Sequence, residues 1–155
     1  IRSQHGEPKV WSEVRVPSEE EEDARQLHRE LQELKEENTA HTNRIKGLLA
    51  TCGVSLSVNR RFPQAVAAVR MWNGRPLPED LRQRLLREFA RMQQLNGQIR
   101  HLEKERATRL RSDSPDVAIE QTRKLLSLKG IGLNMAWVSV REVFAWRKIR
   151  KCSAT

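Results

Sequence analysis

The chain has 155 residues and a mass of 18.0 kDa, a size suited to one ordinary domain or two small ones. Hydrophobic residues make up 37% and aromatics 5%, against 32% charged, which is too polar for one thick core and fits long solvated helices better than a sandwich or barrel. The formal charge is +9, and no apolar run approaches the ~20 residues that a membrane span needs, so the sequence argues against a bilayer-crossing chain.

The charge is unevenly placed. Residues 1–37 carry 6 basic and 11 acidic side chains, a balance of −5, whereas residues 38–155 carry 23 and 9, a balance of +14. So basic a C-terminal part concentrates anions and favours nucleic acid as a partner; the alternative is a set of arginine faces that are only solvated. Cys52 and Cys152 show no metal or redox spacing, which predicts no disulfide scaffold and a reducing, cytoplasmic setting. The start, Ile1-Arg2-Ser3-Gln4-His5, has neither an initiator Met nor the apolar stretch of a signal peptide, and the expectation is a piece of something longer.

In chain order, Lys9–Val16 alternates loosely and reads as one strand, with no second strand to pair with. Residues 1–17 are therefore expected to be a linker or the tail of an upstream domain, closed by Pro17. Ser18 then opens a helix, with Glu21 at the position that completes a capping box and Glu19, Glu20 and Glu22 at the positive end of the macrodipole. Nothing stops this helix before about Thr51, a length of roughly 50 Å. Its inward positions Ala24, Leu27, Leu31, Leu34, Asn38, His41, Ile45 and Leu48 alternate three- and four-residue steps, the heptad seam of a coiled coil. Leu27, Leu31, Leu34, Asn38, Ile45 and Leu48 are the expected oligomerisation residues. Asn38 can fix register by pairing with a second Asn, and His41 is a tolerated polar residue or a pH or metal site.

The pattern breaks over about residues 52–77. Phe62-Pro63 predicts a short helix with Ala65, Val66, Val69 and Trp72 on one face, capped by Asn73-Gly74, and Pro76-Leu77-Pro78 reads as a rigid joint. A second long helix starts at Pro78-Glu79-Asp80, with the seam Leu81, Leu85, Glu88, Met92, Leu95, Ile99, Leu102 and Arg106. Phe89 widens its stripe, and Gly97 costs it about 1 kcal/mol against Ala. Residues 18–111 thus form a coiled-coil region whose long helices pair within one chain or each recruit a second chain. Arg109–Asp113 is a polar break, and Ser114 with Pro115 predicts a third helix start, the beginning of a further region over 112–155.

The stretch carrying chemistry is Leu125-Leu126-Ser127-Leu128-Lys129-Gly130-Ile131-Gly132-Leu133-Asn134-Met135-Ala136. A helix is expected to end near Leu128 and another to begin at about Leu133, which resembles the hairpin of helix-hairpin-helix DNA-binding motifs. Gly130 and Gly132 let the backbone turn and approach a phosphate without a Cβ in the way. Ile131 plugs the space between the helices, amides at the start of the second helix face the anion, and Lys129, Lys124 and Arg123 add charge. Lys124, Lys129, Gly130, Ile131, Gly132 and Asn134 are the candidate DNA-binding residues, holding the phosphate backbone and reading no sequence. The alternative is a glycine-rich cap that only turns the chain. Zinc-protease, CxxC, P-loop and nucleophile-elbow motifs are absent, and His28 has no second His in ligand spacing. No catalytic or metal-ligating residues are assigned.

The blocks KVWSEVRVPSEEEEDARQLHRELQELKEE, HTNRIKGLLATCGV, PLPEDLRQRLLREF and LLSLKGIGLNMAWVSVREVFAWR, in this order, resemble insertion-sequence transposases that carry an N-terminal ribonuclease-H-like domain with a DEDD acid tetrad and are described as bridge-RNA-guided recombinases. The likeness runs from about Gly6 to Arg147 and fades beyond it. It implies an acid-bearing domain before the Arg15-Val16-Pro17-Ser18 block, a coiled coil joining protomers, and a C-terminal transposase domain opening with Leu128–Gly132. The Mg²⁺-binding acids would fall before Ile1 and a nucleophilic serine after Thr155; Ser153 does not match the serine's context. The resemblance thus implies a transposase fragment acting in DNA recombination, with DNA, guide RNA and a second copy as partners and no cofactor of its own. The competing readings are a free-standing coiled-coil DNA-binding or architectural protein and a pure oligomerisation module. A basic-zipper version is disfavoured, since the residues before the first seam are acidic. The expected fold is mainly α: long helices forming a coiled coil, then a partial helix-hairpin-helix domain.

Overall fold

A computed structural model describes residues 16–112 and 116–144 of the chain. The strand expected over Lys9–Val16 lies outside them apart from its last residue, as do Ser114, Pro115, Cys152 and Ser153. The described residues are mainly α, as composition and periodicity predict: α1 (Glu19–Ala50), α2 (Phe62–Ala68), α3 (Glu79–Arg111), α4 (Val117–Leu126), α5 (Leu133–Val138) and a π-helical continuation, Ser139–Phe144. Arg70 and Pro76 make an isolated antiparallel bridge. Among these residues no helix is long and apolar enough to cross a membrane.

The start of α1 is the expected capping box. The Glu21 amide donates to Ser18 Oγ at 3.2 Å, and the Ser18 amide donates to Glu21 Oε2 at 3.0 Å. The chain divides into two compact units, one formed by Arg29–Thr108 and the other joining the described residues up to His28 with those from Arg109 onward.

In the first unit α1 and α3 of the one chain pair with each other. Lys35 Nζ meets Glu103 Oε1 at 2.8 Å, His41 Nδ1 meets Glu88 Oε2 at 2.6 Å, and Thr42 Oγ1 meets Met92 Sδ at 3.4 Å. Lys35 meets Glu103 while Arg44, further along α1, meets Glu88, further back on α3, so the two run antiparallel within one chain. The α3 seam faces inward as read: Leu85, Glu88, Met92, Ile99, Leu102 and Arg106 are buried, with Phe89 beside them. Of the α1 seam, Leu31 and Ile45 are buried in this unit while Leu34, Asn38, His41 and Leu48 are half-buried. Leu49 is buried in place of Leu48. A straight helix drifts about 20° per heptad relative to a strict seven-residue repeat, which moves the stripe by one position towards the end of α1.

Residues 52–77 fold over one end of this hairpin. Val54, Phe62, Val66 and Leu77 join Ile45, Leu49, Leu85, Phe89 and Met92 in one apolar cluster, with Phe62 and Phe89 ring centroids 5.2 Å apart. One expectation fails here. The short helix stops at Ala68, since Val69 turns extended (φ −70°, ψ 147°), so Trp72 is not on its buried face but 81% exposed in the following turn.

Gly97 lies in the middle of α3, exposed, with nothing within 4 Å of the place a Cβ would occupy. Gly97→Ala is expected to stabilise the chain by about 0.5–1 kcal/mol by restricting the unfolded backbone. Thermal unfolding checks this: the Tm rises, and a fall would mean that the position is not open.

Candidate nucleic-acid interface

The second unit holds the turn between α4 and α5. Asp116 caps α4, its Oδ1 accepting from the Ala118 amide at 2.8 Å. The helix therefore begins at Val117 under an aspartate cap, rather than at Ser114 and Pro115 as the sequence suggests. The other carboxylate oxygen of Asp116 accepts from Arg141 Nη2 at 2.5 Å, and the Arg141 guanidinium lies 5.6 Å from the centroid of the Trp137 ring. Trp137 is 1% exposed, and Ile119, Thr122, Ala136 and Val140 are also buried on α4, α5 and the π-helical segment, which contact one another.

Arg25 is buried too. Its Nε donates to the Arg141 carbonyl at 3.2 Å and its Nη1 to Glu22 Oε2 at 3.0 Å, so the first turns of α1 and the π-helical segment share one polar network. Sequence reasoning missed Arg25, Asp116 and Arg141. Only the three-residue spacing of Glu22 and Arg25 hints at any of it, because the remaining partners lie far apart in the chain.

The turn itself is tight. The Ser127 amide donates to the Arg123 carbonyl at 3.2 Å, that of Leu128 to Leu125 at 3.1 Å, and that of Ile131 to Leu128 at 3.3 Å. Gly130 has φ +95°, a conformation that L side chains rarely adopt. Gly132 has φ −82° and ψ 163°, which any residue can adopt, and a Cβ built there meets nothing within 4 Å. The first glycine is therefore demanded by the turn and the second is not. Helix α5 begins at Leu133, the residue expected.

Around the turn Lys124, Lys129, Gly130, Gly132 and Asn134 are exposed, and Ile131 is half-buried. The six candidate residues thus lie on one contiguous stretch. Lys124 Nζ pairs with Glu120 Oε1 at 2.7 Å. This hydrogen bond holds the Glu120 carboxyl below its usual range, but both groups are solvent-exposed and such a pair is weak and salt-screened. Arg123 is occupied otherwise, its Nε donating to the Leu110 carbonyl at 2.7 Å and its Nη2 to that of Ser112. It ties down the end of α3 through neutral carbonyls and keeps its own charge.

In the other unit, the polar seam positions meet one another. Glu88 is 5% exposed. Its Oε2 accepts from His41 and, at 2.9 Å, from Arg44, while Oε1 accepts from Arg91 at 3.1 Å. Burial opposes ionisation of this carboxyl, yet the hydrogen bonds and charges of His41 and Arg44 outweigh it and hold the carboxyl below its ordinary range. Asn38 Oδ1 is buried with no hydrogen-bond partner among the described residues.

The DEDD acids that the family resemblance implies would hold Mg²⁺, and among the described residues no group of three or more His, Cys, Asp or Glu is placed to hold a metal ion. The described residues do not fit that group.

No family model matches the chain, and no solved structure matches it. Over 141 residues, 86% of this chain, the sequence is 40% identical to "Putative transposase y4rJ" of Sinorhizobium fredii (strain NBRC 101917 / NGR234), and it spans 36% of that protein's length, about a third of the curated relative it matches.

Proposed function

We propose that this chain is a segment of a transposase that grips DNA through the α4–α5 turn and leaves strand chemistry to parts of the protein beyond it. The observation that carries this reading is the 40% identity, over most of the chain, to a protein named as a transposase. The geometry supports it. A glycine-requiring turn at Gly130 exposes Lys129 and a stretch of backbone at Gly132 that no side chain covers, the arrangement by which a helix-hairpin-helix element holds a phosphate. The sequence blocks extend the proposal to the DEDD, bridge-RNA-guided family, with guide RNA as a further partner. Dimerisation through the α1 seam has weaker support: Leu31 and Ile45 are already buried in the unit where α1 pairs with the chain's own α3. A second copy would have to meet the half-buried edge of Leu34, Asn38 and Leu48.

The test uses a fluorescent DNA duplex in Mg²⁺ buffer. Binding is expected at low salt, with no strand cleavage or transfer. Gly132→Ala should weaken binding about tenfold, the loss of one close backbone contact worth ~1.4 kcal/mol, while leaving the Tm unchanged. Equal binding by the variant contradicts the close approach at Gly132. Strand transfer by the chain alone contradicts the division of labour.

A further inference from the structure

The other unit carries a feature that the α4–α5 turn does not explain. Trp72 is 81% exposed on a turn built to hold it still. The Met71 amide donates to the Arg75 carbonyl at 2.8 Å, the Gly74 amide to the Met71 carbonyl at 2.9 Å, and Asn73 Oδ1 accepts from the Arg75 amide at 3.0 Å. Arg70 Nη1 donates to the Gly74 carbonyl at 3.3 Å, so a side chain also braces the loop. The Trp72 amide reaches the Cys52 carbonyl at 3.4 Å, and the side chain lies over Gly53. There φ is +68°, and a Cβ would stand 3.3 Å from Trp72 Cβ and 3.5 Å from Cδ1. The indole is thus backed by bare backbone and open on its outer side.

The surroundings are cationic. No Asp or Glu occurs between Glu37 and Glu79, and Arg60, Arg61, Arg70 and Arg75 are all exposed. Arg60 and Arg61 precede the seven-residue α2, and Arg70 and Arg75 follow it in the Trp72 turn. Arg70 and Arg75 thus stand in the same turn as the exposed ring, whereas Arg60 and Arg61 lie at the other end of a helix that spans about 10 Å. We infer that Trp72 with Arg70 and Arg75 forms a stacking platform for an unpaired base of a single-stranded nucleic acid, with Arg60 and Arg61 adding positive charge to the same segment.

Chemistry selects this ligand over the alternatives. A protein or membrane dock needs a contiguous apolar patch of a few hundred Å²; in the Trp72 turn Met71 packs against the apolar cluster, and the exposed neighbours are Asn73 and Gly74. A stacking site needs only one open π face with cations for the flanking phosphates, which is what stands here. A duplex keeps its bases paired and offers that face only at its ends.

The probes are oligo(dT), oligo(U) and a duplex of equal length, each read by anisotropy and by quenching of tryptophan fluorescence. Wild type should bind the single strands more tightly than the duplex through this site, and preference between oligo(dT) and oligo(U) assigns DNA or RNA as the source. Trp72→Ala is expected to lose about tenfold in single-strand affinity and most of the quenching, with Trp72→Phe recovering part of the affinity. Arg70→Gln with Arg75→Gln should flatten the salt dependence. Since Trp72 is exposed, its Tm effect is small and folding does not confound the result. Single-strand affinity that is unchanged in Trp72→Ala overturns the inference, as does a wild type that binds neither single strand. Gly132→Ala on duplex tests the other site, so either proposal can fail without the other.

Discussion

Phe62→Ala is expected to destabilise the chain by about 3–5 kcal/mol. Phe62 is 0% exposed and opens α2, and its ring tilts 32° against that of Phe89. It is the side chain that seats the 52–77 segment on the hairpin, among Val54, Val66, Leu77 and Leu85. Truncation removes a buried aromatic and leaves a cavity that a short helix tethered by loops at both ends fills poorly. Urea unfolding followed by circular dichroism reads the loss as a lower midpoint. A loss under about 1 kcal/mol would mean that the segment collapses onto the gap without cost.

The second large effect is at Glu88, and it depends on pH. The carboxyl sits below its ordinary range in the folded chain, so the unfolded chain binds its proton more readily. Its contribution is therefore fully present above the usual carboxylate range and is lost as pH falls through the folded value. Glu88→Gln is expected to cost about 1.5–3 kcal/mol at neutral pH, the range for hydrogen bonds to a charged group. The gap between wild type and variant should close on acidification. Arg44 and Arg91 are about half-exposed and return to water when the carboxylate goes, whereas His41, 17% exposed, loses its acceptor. A Glu88→Gln gap that stays constant between neutral and acid pH contradicts the ionised cluster.

Much of this fold is legible in the sequence because its information is local or periodic. The Ser18–Glu21 box, the α3 seam and the start of α5 at Leu133 each follow from a few neighbouring residues. Pairing is different. Leu85 and Ile45 look alike whether they meet within one chain or between two, and only the folded 52–77 segment, which joins the two helices, decides it. Trp72 is misread because apolar spacing alone continues α2 to Asn73, whereas the backbone leaves the helix at Val69. The polar seam residues are read as liabilities, since Glu88 and His41 are 47 positions apart and become partners only after α1 and α3 pair. At the candidate interface, the turn and its lysines are visible in the sequence, but the commitment of Arg123 to the end of α3 is not.

The proposed contact of the exposed α4–α5 turn with a nucleic acid backbone is tested most directly by the salt dependence of duplex affinity. Each phosphate neutralised lowers the slope of log affinity against log salt by about 0.9. Wild type should therefore lose affinity steeply from low to moderate salt, and Lys129→Gln should show a slope shallower by about one such step. A chain that binds no duplex at low salt, or one whose slope is the same with and without the Lys129 charge, would contradict it.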